Sequence, residues 1–265
     1  MVNMTSETRP LRDRLGLLPD WCNPQRWLQS LEINKGPFFE GATDFNRACG
    51  KGHVSDKKFL LALTCHYAEQ PEAARVRGQE FLAESVEFFF GDWRQTYVAP
   101  TGQVDPKWWQ EQLEWMSPFE AGLLWGSVLG QWDYLQRLGA FPSPEGRVTT
   151  DRSAQERDLL VAIAAVIRQA PAEEVTARLD QAAAGRSKAC KLAVDILRGG
   201  LARDLQHLQI AVTAYLKHYR ANEFPQEMMA SKVSILGTFF VHWAEKQGLA
   251  VVVLPKYLDH IVRLP

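Results

Sequence analysis

Apolar residues recur along most of the chain at intervals of three and four positions, which is the period of an amphipathic α-helix. The clearest example follows Pro71, a residue that favours the first turn of a helix. Its apolar residues share one face: Phe81, Leu82, Val86, Phe89 and Phe90. Its acidic residues occupy the remaining surface at positions i, i+4 and i+7: Glu80, Glu84 and Glu87.

Capping residues and prolines predict where further helices of the first half begin. We expect starts at four such signals: Asn23-Pro24, Ser55, Asp105-Pro106 and Ser117-Pro118. The last of these helices should run to a position near Gly139. The stretch 49–53, which superficially resembles a phosphate-binding loop, lacks the required first glycine and the Ser/Thr after Lys51, and it is interpreted as an exposed turn.

The second half reads as helices joined by short connections, which is typical of antiparallel neighbours. The predicted helices cover 154–169, 171–184, 187–198, 201–219 and 231–247, and Gly199-Gly200 and Gly248 serve as breaks. Only 250–254 has the composition of a strand, and one short run cannot form a sheet. No repeat of the tetratricopeptide kind is present. The sequence predicts an all-α fold, an irregular array or bundle of antiparallel helical hairpins with about ten helices.

Two turn-rich segments, 97–104 and 141–148, interrupt the helical pattern. The second is the predicted boundary between an aromatic-rich, acidic half (1–140) and an Ala/Leu-rich half (149–265). A chain of 265 residues lies near the upper limit for one hydrophobic core. We expect the two halves to pack as one unit.

Composition and charge narrow the functional classes. The net charge of −1 gives no basic field for nucleic acid or anionic lipid, so neither is an expected partner. The longest apolar run, 159–167, is far shorter than the roughly 20 residues that span a bilayer. The four cysteines are scattered, as expected for reduced thiols, and the predicted location is the cytoplasm.

No catalytic, metal or cofactor motif is found in the sequence. The six histidines do not form H-x-x-x-H or H-E-x-x-H, and no G-x-S-x-G element is present. Cys65 is expected to be a buried small residue rather than a nucleophile. The sequence therefore predicts a protein without catalytic residues, bound metal or cofactor.

Charge is distributed unevenly along the chain. Between residues 69 and 133 there are eleven Asp/Glu against four Arg/Lys, a local balance of −7, together with several tryptophans. Carboxylates beside large aromatic residues are typical of a surface that binds a basic protein. The candidate binding residues are Glu80, Glu84, Glu87, Asp92, Trp93, Glu111 and Glu114. The alternative interpretation is that the acidic residues are solvated helix faces and the tryptophans belong to the core.

The C-terminal stretch 231–265 resembles the end of the immunity protein 49 family. The matching features are Ala244, Gly248 and Leu249, a short apolar run, and Tyr257-Leu258 near the terminus. The resemblance implies a helical, non-enzymatic bacterial protein that binds and neutralises a cognate toxin. Such a toxin is often a nuclease, with a basic cleft, delivered by a contact-dependent or type VI system. The family has no catalytic residues to carry over, and the N-terminal half shows no family motif.

Three functional hypotheses follow from the sequence. The first is an immunity protein that acts by stoichiometric binding to a basic, nuclease-like toxin. The second is a helical scaffold that binds peptides in a groove lined by helices beyond Asp151. The third, ranked last, is an enzyme whose site is assembled from distant carboxylates and histidines.

Overall fold

The computed structural model describes residues 9–33, 44–91, 116–141, 151–226 and 228–265, with the backbone alone at 33, 44–55 and 151–153. These ranges contain twelve α-helices, ten of which have eight residues or more, and no strand. The helices are α1 Leu11–Arg14, α2 Pro24–Ile33, α3 Asp44–Tyr67, α4 Pro71–Phe90, α5 Met116–Val128, α6 Trp132–Gly139, α7 Asp151–Ile167, α8 Ala172–Ala184, α9 Lys188–Leu201, α10 Leu205–Asn222, α11 Ile235–Lys246 and α12 Pro255–Leu258. The all-α prediction is confirmed.

Several of the predicted start and stop signals act as expected. α2 begins at Pro24, and Oδ1 of Asn23 accepts a hydrogen bond from the backbone N–H of Gln25 at 3.1 Å. α4 begins at Pro71. Gly248 follows the end of α11 with φ of +76°, a conformation that glycine adopts without strain.

Two predictions in the first half are wrong. α3 begins at Asp44 rather than at Ser55, so the stretch 49–53 is part of a helix and not a turn. The helix predicted from Ser117 to Gly139 is two helices, α5 and α6, because Gly130 has φ of +65° and interrupts the hydrogen-bonded spiral.

Two predictions in the second half also need correction. Gly199-Gly200 lies inside α9 and does not end it, because α9 continues to Leu201. The helix predicted from residue 231 starts later, at Ile235, where the side chain of Ser234 accepts a hydrogen bond from the backbone N–H of Gly237 at 3.2 Å. The predicted boundary between the two halves falls at 141–148, of which only Phe141 is a described residue, and stays a prediction.

Helices that follow one another pack as hairpins, most closely α3 with α4, α7 with α8, and α9 with α10. The hairpins are joined by a contact between distant segments, since α5 packs against α11. Glycine permits close approach at such contacts: a Cβ on Gly78 of α4 would lie 2.7 Å from Cε3 of Trp125, which is fully buried.

Side-chain hydrogen bonds tie α3 to a 3₁₀ turn near the C-terminus, Met229–Lys232. The hydroxyl of Tyr67 donates to the backbone oxygen of Met229 at 2.8 Å, and the hydroxyl of Thr64 lies 3.6 Å from the sulfur of the same residue. Tyr67 is 1% exposed, and burial raises its pKa far above the usual range. This contact holds the turn against α3 and shapes one wall of the cleft described below.

None of the helices in the described ranges is both long enough and apolar enough to cross a membrane.

Candidate functional site

The described part of the predicted acidic surface lies on α4, opposite its buried face. Glu80 receives two hydrogen bonds of 2.8 Å from the guanidinium of Arg77. Glu84 accepts a hydrogen bond of 2.6 Å from the ammonium of Lys58 on α3. Glu87 is exposed. Glu80 and Glu84 are therefore paired with bases, which lowers the negative potential that α4 presents to a partner.

The other four candidate residues lie outside the described residues: Asp92, Trp93, Glu111 and Glu114. On α4, Glu80 pairs with Arg77 of the same helix, and Glu84 pairs with Lys58 of the neighbouring helix α3.

A second surface, which sequence reasoning did not single out, is a cleft of about 980 Å³. It lies where α3, α5, α7, α9 and α10 meet the segment that leads into α11. Apolar and aromatic side chains form much of its lining: Phe59, Leu60, Leu159, Tyr215, Tyr219 and Leu236. Met228, which is 58% exposed, also lines the cleft. The lining combines these apolar groups with several polar side chains.

The charged residues of the cleft are predominantly acidic. Among the described residues, four carboxylates line it against one guanidinium, a balance of −3 in a chain whose net charge is −1: Asp56, Glu120, Glu156, Glu223 and Arg186. His218, the histidine in the described part of the lining, has a pKa below the usual value because of burial and the nearby Lys188. The cleft therefore favours a cationic ligand.

The floor of the cleft includes Tyr215 of α10, which is 4% exposed. Its ring packs edge to face on Phe240 of α11, with 5.6 Å between the ring centroids. Burial raises its pKa well above the usual value, and the negative charges of Glu223 and Glu120 add to this shift.

The neighbouring Tyr219 also lines the cleft. It lies one helical turn further along α10, and its hydroxyl donates a hydrogen bond to the backbone oxygen of Ser231. Burial raises its pKa above the usual range. Tyr219 thus fixes the wall formed by residue 231.

Local capping places the helices that surround the cleft. Asp204 begins α10 by accepting a hydrogen bond from the backbone N–H of His207 at 2.9 Å. Ser187 begins α9 by accepting from Cys190, and its own backbone N–H donates to Oε1 of Gln155 on α7 at 2.7 Å. The start of α9 is thereby attached to α7 at the edge of the cleft.

The described ranges contain no group of three or more His, Cys, Asp or Glu side chains placed to hold a metal ion. Cys22, Cys65 and Cys190 are free thiols, and Cys65 is buried, as expected from the sequence. Burial raises the pKa of the Cys65 thiol, which disfavours the reactive thiolate.

Comparison with known proteins gives no relative for this chain: no family model, no curated protein and no solved structure matches it.

Sequence reasoning missed most of the cleft because its residues come from six separate segments. Glu120 was counted only as part of the acidic region, and neither Tyr215 nor Glu223 was singled out. One local signal was present: Tyr215 and Tyr219 are spaced i, i+4 on a helix, beside the polar residues His218 and Asn222. A helix face that combines aromatic and polar residues in this way is as typical of a solvent-exposed surface as of a core.

Proposed function

We propose that this chain neutralises a basic partner protein by binding it stoichiometrically, and that the partner is a bacterial toxin of the nuclease type. The observation that carries the proposal is the acidic balance of the described cleft lining in an almost neutral chain. The resemblance of residues 231–265 to the immunity protein 49 family supports the choice of a toxin as partner.

The physical argument is one of charge complementarity. A nuclease must hold phosphate groups, so its own site is basic, and an acidic surface on an inhibitor is attracted to it and speeds association. Four carboxylates around an apolar and aromatic floor offer both attraction and a surface that excludes water. The acidic residues on α4, of which Glu80 and Glu84 pair with bases, are the other candidate surface.

The test is co-expression of this chain with the product of the gene immediately upstream, followed by affinity capture and growth assays. We expect the upstream product alone to stop growth, and this chain to restore growth and to be recovered with it in a one-to-one complex. A harmless upstream product that is not captured would contradict the proposal.

Two sets of variants then distinguish the two acidic surfaces. Charge reversal of Glu120 and Glu223 in the cleft should abolish the rescue of growth. Charge reversal of Glu80, Glu84 and Glu87 on α4 should leave most of it. The opposite result would place the interface on α4, as the sequence alone had predicted.

A second candidate function is a helical adaptor that binds peptides. It is favoured by one observation, that most of the cleft lining lies beyond Asp151, where a groove was expected for such a protein. An adaptor would bind a partner that is not toxic by itself, so the growth assay of the upstream product separates the two functions.

A further inference from the structure

The segment 250–254 has the composition of a strand but no strand beside it among the described residues. Its side chains nevertheless alternate between two faces, as they do in a strand. Val251 and Val253 are buried, whereas Val252 is 66% exposed and Leu254 is 37% exposed. The segment is therefore an extended chain that lies with one face on the core and turns an apolar face to solvent.

One edge of this extended chain is held by the side chain of Gln209 on α10. The amide nitrogen of Gln209 donates to the backbone oxygen of Val252 at 2.8 Å, and its amide oxygen accepts from the backbone N–H of Val252 at 2.8 Å. Paired bonds to the N–H and the C=O of one residue are what a neighbouring antiparallel strand provides. The amide of Gln209 thus takes the place of a strand on this edge.

The opposite edge carries backbone groups that pair with nothing. Successive residues of an extended chain direct their N–H and C=O groups to opposite edges, so those of Val251 and Val253 point away from Gln209. None of these four groups has a hydrogen-bond partner in the described part of the chain. Backbone groups without a protein partner are normally in contact with water, and such an edge is a template for a further strand.

The surface beside this edge is apolar with a basic rim. The segment runs alongside α10, because Gln209 holds Val252 and the guanidinium of Arg220 donates to the backbone oxygen of Lys256 at 3.4 Å. The exposed face of α10 adds Ile210, which is 64% exposed, and the cation seven residues further on. The rim consists of three exposed cations, none of which forms an ion pair within the described ranges: Lys217, Arg220 and Lys256.

The charge of this rim decides which occupant fits the open edge. Two copies of the segment paired edge to edge would bring their basic rims together, and like charges oppose such a contact. A lipid surface would take up apolar and basic groups, but it would not supply the hydrogen bonds that the edge lacks. A strand of another protein with carboxylates along it supplies both the hydrogen bonds and the opposite charge.

We propose that residues 250–254 form a docking site for an extended, acidic segment of a partner protein, which adds to the open edge as a β-strand. Main-chain hydrogen bonds give the affinity in this mode of binding, and the basic rim selects the charge of the segment. The site lies apart from the acidic cleft, since neither Gln209 nor Val252 belongs to the cleft lining. It therefore goes beyond the proposed function and does not depend on it.

The test uses the full chain and a fluorescein-labelled peptide, Gly-Ser-Glu-Val-Glu-Val-Glu-Val-Gly-Ser, in anisotropy titrations at about 0.15 M salt, which screens distant charges. One comparison peptide carries lysine in place of each glutamate. We expect it to bind roughly tenfold or more weakly than the acidic peptide, since its charges repel the rim.

Two further peptides test the strand itself. They carry N-methyl groups on the backbone nitrogens of either the three glutamates or the three valines, which removes the N–H donors from one edge or the other of the same sequence. We expect one of the two to bind roughly tenfold or more weakly than the unmethylated peptide, the scale of several hydrogen bonds, and the other to bind nearly as well.

Variants of the rim should reverse the charge preference. Lys217→Glu with Lys256→Glu should weaken binding of the acidic peptide by roughly threefold to tenfold and strengthen binding of the lysine peptide, the scale of exposed ion pairs. The matched control is Arg178→Glu with Lys191→Glu, which makes the same change in net charge at two exposed cations on α8 and α9. It should leave the preference unchanged. Thermal unfolding of each variant checks that it is folded.

Several results would overturn the docking site. They are no binding of the acidic peptide, equal binding of the lysine peptide, equal binding of both methylated peptides and the unmethylated one, or an equal effect in the control variant. A dimer in sedimentation equilibrium that Val252→Glu abolishes, without peptide binding, would assign the edge to a second copy. Binding to phosphatidylserine vesicles without peptide binding would assign the surface to a membrane.

Discussion

His66 should make the stability of the protein depend on pH between 7 and 5. Part of the residue is exposed, but its Nε2 atom is buried and has no hydrogen-bond partner among the described residues. Burial lowers its pKa from 6.5 to about 4, because the protonated ring cannot be solvated there. The unfolded chain therefore binds this proton at a higher pH than the folded protein does.

The sign and size of the effect follow from proton linkage. The stability that neutral His66 contributes is fully present above pH 6.5. It is lost as the pH falls towards 4, because the unfolded state gains the proton first. One pKa unit corresponds to about 1.4 kcal/mol, so the full shift is worth at most about 3 kcal/mol. About 2 kcal/mol of this is lost between pH 7 and pH 5.

The assay is urea unfolding at pH 7, 6 and 5, followed by both tryptophan fluorescence and circular dichroism to check for a single transition. His66→Phe keeps a ring and removes the titration, so its free energy of unfolding should fall by about 2 kcal/mol less than that of the wild type over this range. His218→Gln serves as a comparison, because the lowering of the His218 pKa is smaller. Equal losses of stability in wild type and His66→Phe would refute the reasoning, whatever the absolute stability of the variant.

Two further predictions concern packing. Gly200→Ala places a methyl group against the ring of Trp243; overpacking of this kind costs about 1–3 kcal/mol, and the better helix propensity of alanine returns at most about 1 kcal/mol. We expect a lower urea midpoint with an unchanged m-value, and an unchanged or higher midpoint would show that the ring can move aside. Phe89→Ala removes a fully buried ring that packs 4.8 Å from that of Phe141, and it should lower the free energy of unfolding by about 3–5 kcal/mol. A loss below about 1 kcal/mol in the same measurement would mean that the surrounding core collapses to fill the cavity.

Local sequence signals predicted features that depend on a few neighbouring residues. Pro71 begins α4, because proline suits a first helical turn, and Gly248 follows α11 in a left-handed conformation. The same logic failed at Gly200. A glycine can either end a helix or admit a neighbouring ring, and only the position of Trp243 decides between the two.

The acidic face of α4 illustrates the same limit for function. Spacing alone places Glu80, Glu84 and Glu87 on one side of a helix. Whether those charges face a partner or a base depends on Lys58, which comes from the preceding helix and pairs with Glu84. A count of charges along the sequence includes both Glu84 and Lys58, but it does not show that they form an ion pair.

The sequence by itself determined that the chain is all-α and where many of its helices begin, because helix formation and capping are governed by residues within one or two turns. Only the tertiary structure decided that Tyr215, Glu120 and Glu223 share one cleft. Their burial, and the effect of the two carboxylates on the pKa of Tyr215, depend on how α5, α10 and the segment before α11 pack. Those contacts join residues up to about a hundred positions apart.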